Sequence, residues 1–172
     1  MAVIVEDGTE IANANSYVSV SEATTYLALI GETDWTTRSD LQDRAVIRAT
    51  EAVDMIYGAA YRSSKKTSTQ TLLFPRHAFT NANGITVSSL TIPDDLKKAV
   101  YHLALMDLQG EDTGEQLIQE DSPNSIIESE SNTIGGLSSD VTYKIANEIN
   151  KFRKIDLIIR AIVRSSGQHF VR

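Results

Sequence analysis

The segment 96–108 is apolar around most of a helical circumference, and this pattern constrains the fold more than any other. Its apolar residues are Leu96, Ala99, Val100, Leu103, Ala104, Leu105, Met106 and Leu108. A helix with apolar side chains on nearly every side must be buried among other elements. The pattern therefore predicts a core helix, which Pro93 and the acidic pair Asp94 and Asp95 begin and Gly110 ends.

A second long helix is predicted by an alanine-rich stripe. The residues of the stripe are Leu41, Ala45, Ala49, Ala52, Ile56 and Ala60. Their spacing of three and four places them on one helical face. Because alanine is small, a facing helix can approach this stripe closely, and Thr37 or Ser39 can cap the first turn.

Two shorter helices are predicted nearer the ends of the chain. Ser19 and Glu22 have the spacing of a capping box, and Gly31 suits a helix end, so the first of these helices should cover about residues 20–30. The segment 151–164 favours a last helix with an apolar face. The residues expected to point inward there are Ile155, Ile158 or Ile159, and Ile162.

Turn residues separate the predicted helices from predicted β-structure. Glycines lie between two partly alternating stretches, 125–131 and 141–145, and this favours a long β-hairpin. Asn83-Gly84 predicts a turn before a short strand at 85–87. The polar run 63–70 is typical of a flexible linker.

Together these segments predict a mainly α fold, a small bundle of about four helices with a long β-hairpin insertion and an extended C-terminal tail. The predicted divisions are a helical core domain at 1–110, an acidic loop and hairpin at 111–146, and a C-terminal helix and tail at 147–172. A domain of this size buries enough apolar surface to fold without a disulfide frame. The chain has no cysteine.

Charge is distributed unevenly along a chain whose net charge is −7. Eight acids and no Lys or Arg lie between Glu111 and Asp140, whereas six bases and the single acid Asp156 lie between Lys151 and Arg172. The net negative charge argues against a protein that coats nucleic acid. Two interpretations remain: a solvated acidic loop beside an ordinary basic helix, or an acidic surface kept away from DNA with a basic tail docked on an acidic partner.

The sequence contains no pattern typical of an enzyme or a metal site. Its three histidines, His77, His102 and His169, lack the spacing of metal ligands. Neither a hydrolase nucleophile elbow nor a phosphate-binding P-loop is present. We therefore expect no enzymatic activity, no cofactor and no metal, and we interpret His102 as a core or interface residue. Because no apolar run reaches the roughly 20 residues of a membrane helix, and no basic region precedes an apolar run at the start, we expect neither a membrane partner nor a signal peptide.

Aromatic and basic side chains cluster once along the chain. The cluster consists of Tyr57, Tyr61, Arg62, Lys65 and Lys66. Proteins that bind single-stranded DNA use aromatic platforms inside a basic groove. The cluster is therefore either such a surface or the end of a helix that leads into a solvated linker.

Five short motifs follow one another in the first two thirds of the chain. They are Asn15-Ser-Tyr-Val-Ser19, Trp35, Arg48-Ala-Thr50, Gln70-Thr-Leu-Leu-Phe-Pro-Arg76 and Ile92-Pro93. In this order they resemble a family of small tailed-phage proteins that form the head–tail connector, some members of which are described as DnaT-like single-stranded-DNA-binding proteins. Phe74 stands where the family usually has Trp. The acidic Glu128-Ser-Glu130 stands where it often has a Lys/Arg-rich strand, while Val141-Thr-Tyr143 resembles the strand that follows.

The resemblance implies a structural head–tail connector, or adaptor, that assembles as a ring, usually twelvefold, beneath the portal in the neck of the virion after synthesis in the host cytoplasm. Such a ring continues the DNA channel and links head to tail. The implied partners are the portal protein, the next neck or tail-completion protein and further copies of the chain, while genomic double-stranded DNA passes through the lumen without specific binding. The alternative is a single-stranded-DNA-binding replication accessory protein.

Two regions are expected to make the contacts of a connector. The last helix and tail would dock on the portal through Ile162, Arg164, His169, Phe170 and Arg172, because aromatic and Arg side chains are favoured at binding hot spots. The hairpin would pair with the next subunit of the ring. Its candidate contact residues are Ile126, Ile127, Ile134, Leu137, Val141 and Tyr143.

Overall fold

The computed structural model describes residues 2–113, 127–133, 138–143 and 152–164, and within them the chain is mainly helical. The helices are α1 (Val20–Leu29), α2 (Asp34–Thr37), α3 (Gln42–Tyr57), α4 (Asp94–Thr113) and α5 (Arg153–Ile159), with a 3-10 turn at Gly58–Ala60. The strands are β1 (Phe79–Thr80), β2 (Thr86–Val87), β3 (Ile127–Thr133) and β4 (Ser138–Tyr143). The predicted mainly α fold with a β-hairpin is confirmed, and the predicted tail beyond residue 164 lies outside the described residues.

The core is built where α3 packs along α4, the most extensive contact between two elements of the described chain. Ala45, Ala49 and Ala52 are almost completely buried on the α3 side. Facing them, Leu96 and Leu103 are fully buried on α4 within the same apolar cluster. The prediction of a core helix and of an alanine-rich face is therefore confirmed.

The α3 face is rotated from the predicted stripe, and the helix begins later. Ile56 is 40% exposed, whereas Val53 is fully buried. The residue before the first turn is Leu41, which provides no side-chain cap. The predicted caps Thr37 and Ser39 are therefore wrong, because the preceding segment turns into α2 to bury Trp35, whose Nε1 donates to Thr24 Oγ1 at 2.8 Å.

Helix α1 has the capping box that its sequence predicts. The Ser19 hydroxyl accepts from the Glu22 amide at 3.1 Å, and the Glu22 carboxylate accepts from the Ser19 amide at 2.8 Å. The other carboxylate oxygen of Glu22 accepts from Lys97 Nζ at 2.9 Å, which ties α1 to α4. Gly31 follows the helix with a φ of +83°, a conformation that suits glycine.

The described residues form two antiparallel pairs of strands. In the small pair, Phe79 lies opposite Val87, and Gly84 has a φ of +80° in the predicted turn. In the hairpin of β3 and β4, Ile127 lies opposite Tyr143 and Glu130 opposite Val141. The predicted contact residues Ile126, Ile134 and Leu137 lie outside the described residues.

The last two helices differ from their predicted lengths. Helix α4 continues through Gly110 to Thr113, so the prediction that this glycine ends the helix is wrong. A glycine inside a helix costs only about 1 kcal/mol relative to alanine, which tertiary packing readily offsets. Helix α5 is shorter than predicted, yet Ile155, Ile159 and, beyond the helix, Ile162 are all buried.

Candidate nucleic-acid interface

Three segments that are distant in sequence meet beyond the end of α3. The Arg62 amide donates to Ile162 O at 3.0 Å, and the Arg164 amide donates to Ala60 O at 2.7 Å. On the other side, the Lys66 amide donates to Pro75 O at 3.2 Å. These backbone bonds hold the basic residues of the three segments in fixed positions.

The side chains of Arg62, Lys65, Lys66 and Arg164 form what we call the basic loop surface. The first three are half-buried and Arg164 is exposed. Arg62 Nε donates to Val163 O at 3.0 Å, Lys65 Nζ donates to Gln70 O at 2.9 Å, and Lys66 Nζ pairs with Glu10 at 2.7 Å. Because an ammonium has three N–H donors and a guanidinium five, each group keeps further donors for a ligand.

The polar run 63–70 is a hydrogen-bonded loop within this surface. Gln70 is 7% exposed, and its amide nitrogen donates to Leu72 O at 3.0 Å and to Pro75 O at 2.8 Å. Its amide oxygen accepts from the Thr67 amide at 2.9 Å. The prediction of a flexible linker is therefore wrong, because one buried side chain satisfies the backbone groups that a free linker would leave to water.

Arg76 lies beneath the basic loop surface and positions it. Its guanidinium donates to Arg62 O at 2.9 Å, to Leu73 O at 3.2 Å and to Ser63 O. It also lies over the Tyr61 ring, 5.6 Å from the centroid. Because Arg76 is only 9% exposed and its donors face backbone carbonyls, it organises the loops and is not itself a contact for a ligand.

The aromatic rings of the predicted ring-and-base cluster are part of the core. Tyr57 is 8% exposed and Tyr61 is 1% exposed. Tyr61 packs edge-on against Phe74 with 5.0 Å between the ring centroids, and the Tyr57 hydroxyl donates to Asp156 on α5. These rings are therefore not available as stacking platforms for bases, while the basic residues beside them remain at the surface.

The half-buried carboxylate of Asp54 connects α3 to the loop that carries Arg76. It accepts from the Tyr17 hydroxyl at 2.7 Å, from the Tyr61 hydroxyl at 3.3 Å and from the Leu73 amide at 3.1 Å. The Phe74 amide in turn donates to the Tyr17 hydroxyl at 3.0 Å. We call this group of hydrogen bonds the Asp54 network.

Burial raises the pKa of Asp54 to about 6, and the hydrogen bonds from Tyr17 and Leu73 offset only part of this effect. Burial and the nearby Asp54 carboxylate also raise the pKa of Tyr17 and Tyr61 well above the usual range. Both phenols are therefore protonated donors at neutral pH. The network holds the loop in place.

The Asp54 network and the role of Arg76 were not apparent from the sequence. Tyr17 and Leu73 lie 37 and 19 residues from Asp54, and no local spacing predicts that they converge. The only signal was that Asp54 follows Val53 on an otherwise apolar part of α3.

The residues predicted to bind a portal are only partly described. Ile162 is 1% exposed and belongs to the core, while Arg164 is exposed on the basic loop surface. His169, Phe170 and Arg172 lie outside the described residues. His102, predicted to be a core or interface residue, is buried, and its Nε2 lies 3.3 Å from the Tyr26 hydroxyl. Burial, together with the charge of Lys154, lowers the pKa of His102 to about 4.

In the described part of the chain, no group of three or more His, Cys, Asp or Glu side chains is arranged to hold a metal ion. Over the same residues, no helix is long and apolar enough to cross a lipid bilayer.

Comparison with known proteins identifies a family for the whole chain. The family model described as "Putative DnaT-like ssDNA binding protein" matches residues 1–172, so the chain belongs to that family. No curated protein and no solved structure matches the chain significantly. The main interpretation of the sequence, a head–tail connector, is therefore wrong. The matching family is described by single-stranded-DNA binding, which supports the alternative interpretation.

Proposed function

We propose that this protein is a non-enzymatic accessory protein whose basic loop surface binds the phosphate backbone of single-stranded DNA. The observation that supports this function most directly is the meeting of Arg62, Lys65 and Lys66 with Arg164, a residue about one hundred positions further along the chain. Backbone hydrogen bonds hold these cations together before any ligand arrives. A surface that is already arranged loses less conformational entropy on binding.

Phosphate contacts suit this surface better than base stacking does. The Tyr57 and Tyr61 rings are buried, whereas the cationic groups reach solvent. Contacts to phosphate fix the position of a strand and carry little sequence information. We therefore expect binding with weak sequence preference and a strong dependence on salt concentration.

The net charge of −7 does not oppose this proposal, because local potential decides where a polyanion binds. At physiological ionic strength the screening length is about 8 Å, so acids further away have little influence on a phosphate at the surface. Within the surface, Glu10 neutralises Lys66 at 2.7 Å and reduces the attraction of that residue. Arg62, Lys65 and Arg164 are therefore the principal contacts.

The proposal is tested by fluorescence anisotropy with a short labelled oligo-dT at graded salt concentrations. If three or four phosphates are neutralised, the plot of log affinity against log salt has a slope of about −2 to −3. The decisive variant is Arg164→Gln. It removes the positive charge of the side chain but keeps the hydrogen bond from the backbone amide of residue 164 to Ala60 O. Loss of this charge should reduce the steepness of the slope by about 0.7 and weaken binding at low salt.

Two matched variants serve as controls. Arg164→Lys keeps the charge and should keep the slope. Lys98→Gln removes one positive charge from an exposed position of α4 and should leave the slope unchanged. Absence of binding at low salt, or equal losses in Arg164→Gln and Lys98→Gln, would contradict a DNA contact at the basic loop surface.

A further inference from the structure

We infer that the groove between α3 and the loop 71–73 is a docking site for the chain's own segment 165–172. This inference goes beyond DNA binding and does not depend on it. It joins three observations: an open apolar groove, the last described residue near one end of it, and opposite charges on the groove and the segment.

The groove has a volume of about 450 Å³, a size typical of sites that hold a ligand or a few side chains. Its apolar walls are Ile47 and Met55 on α3 and Leu72 on the loop. Met55 is 64% exposed, an unusual exposure for a large apolar side chain that lines a concave surface. Covering these side chains would remove apolar area from water.

The last described residue, Arg164, lies near one end of this groove. The Arg164 amide is bonded to Ala60 O, and Gly58, two residues before Ala60, contacts Leu73 in the wall of the groove. A Cβ atom on Gly58 would lie only 2.4 Å from Leu73 Cδ1, so the backbone of Gly58 packs directly against the wall of the groove.

The following segment is long enough to enter the groove. From Ala60 back to Met55 the distance along a helix axis is about 8 Å. An extended chain advances about 3.3 Å per residue, so Phe170 can reach about 20 Å from Arg164. The groove therefore lies well within its range, with residues to spare for a turn.

The chemistry of the segment matches that of the groove. Phe170 and Val171 supply adjacent apolar side chains, and Arg172 supplies a positive charge. At the groove, the carboxylate of Glu51 is exposed at the rim and supplies the opposite charge. Aromatic and Arg side chains are enriched at binding interfaces, which suits a docked segment that contains Phe170 and Arg172.

The experiment uses methyl-¹³C methionine labelling and NMR of the full chain without DNA. The chain has three methionines, of which Met55 lines the groove and Met106 is half-buried on α4 as an internal control. The variant Phe170→Ala should shift the Met55 methyl signal by more than its line width, because the ring no longer lies beside it. The matched variant Gln168→Ala should leave the Met55 methyl signal unshifted, and the Met106 methyl signal should keep its position in both variants.

A second measurement identifies the occupant. In a chain that lacks residues 165–172, the Met55 signal should take the position that it has in Phe170→Ala. Adding a synthetic peptide of residues 165–172 should return it, with saturation, toward the position in the full chain. The same peptide with the single substitution Phe170→Ala serves as the control and should leave the Met55 signal where it is.

Three outcomes overturn the inference. A Met55 signal that is the same in the full chain and in Phe170→Ala shows that the ring does not enter the groove. A peptide that produces no saturable change shows that the segment has no affinity for it. A Met55 shift that disappears on dilution while the mass falls by half shows that a second copy supplies the segment. All three results are independent of whether the basic loop surface binds DNA.

Discussion

The first turns of α3 and its last turn are held in place by different physical interactions. In the first turns, Ala45 and Ala49 pack closely against α4, beside an ion pair between Arg48 and Asp107 at 3.4 Å. In the last turn, Asp54 is held by hydrogen bonds from Tyr17, Tyr61 and the Leu73 amide. A packing contact weakens gradually as its shape is changed, whereas a buried network fails when one partner leaves the others unsatisfied. The apolar part of α3 provides the core, and its polar end positions the loops.

The largest effect is expected from Asp54→Ala, which removes the acceptor at the centre of the polar end. The Tyr17 hydroxyl and the Leu73 amide then lack their acceptor, while the Tyr61 hydroxyl keeps its bond to Val53 O at 3.2 Å, so the free energy of unfolding should fall by about 3 kcal/mol. Urea denaturation followed by circular dichroism measures this change. Asp43→Ala, at an exposed acid in the first turn of the same helix, should cost only about 0.5 kcal/mol. Comparable losses in the two variants would show that the network is not an important anchor.

A smaller effect is expected from overpacking the apolar part with Ala49→Leu. Ala49 has no exposed area, so the added methyl groups must push α3 away from α4, at a cost of about 2 kcal/mol. Thermal melting of this variant and of Ala28→Leu, at an exposed position of α1, provides the comparison. If Ala49→Leu is as stable as the original chain, the two helices do not approach as closely as the structure indicates.

The smallest effect is a pH dependence specific to the polar end. Because the pKa of Asp54 is raised to about 6 in the folded chain, from an ordinary value of 3.8, the folded state binds its proton first as the pH falls. Stability from this group is therefore gained between pH 6 and pH 4 and lost as the pH rises through 6. Between pH 7 and pH 5 the gain is about 1 kcal/mol.

This gain must be measured against Asp54→Asn, because His102 acts in the opposite direction. Its pKa is lowered to about 4 in the folded chain, so the unfolded state binds its proton first and stability is lost as the pH falls below about 6.5. Subtracting the Asp54→Asn profile removes the His102 contribution, which both chains share. A difference between the two chains that does not change from pH 7 to pH 5 would show that Asp54 titrates normally.

The parts of the fold that the sequence predicted correctly depend on local patterns. The capping box of α1 needs only Ser19 and Glu22, and the burial of α4 follows from apolar side chains on nearly every side. The prediction was less accurate for boundaries. Gly110 does not end α4, because helix propensity is weak beside tertiary packing.

The candidate site could be predicted only in part. The sequence predicted the cluster of basic residues Arg62, Lys65 and Lys66. It did not show that Arg164 joins them or that the tyrosines beside them are buried. Whether a tyrosine ring lies in the core or at the surface depends on what packs against it. Tyr61 packs against Phe74 of the following loop, and Tyr57 contacts Asp156 on α5. Arg76 gave no sign of its structural role, because its acceptors are backbone carbonyls.

The sequence by itself determined the helical class, the capped start of α1, the buried α4 and the uneven distribution of charge, because each depends on residues within a few turns of one another. Only the tertiary structure decided which charges become neighbours and which polar groups are buried. The bond from the Arg164 amide to Ala60 O and the bond from the Leu73 amide to Asp54 join residues from separate elements. No periodicity encodes such contacts, since they form only after the apolar core has brought those elements together.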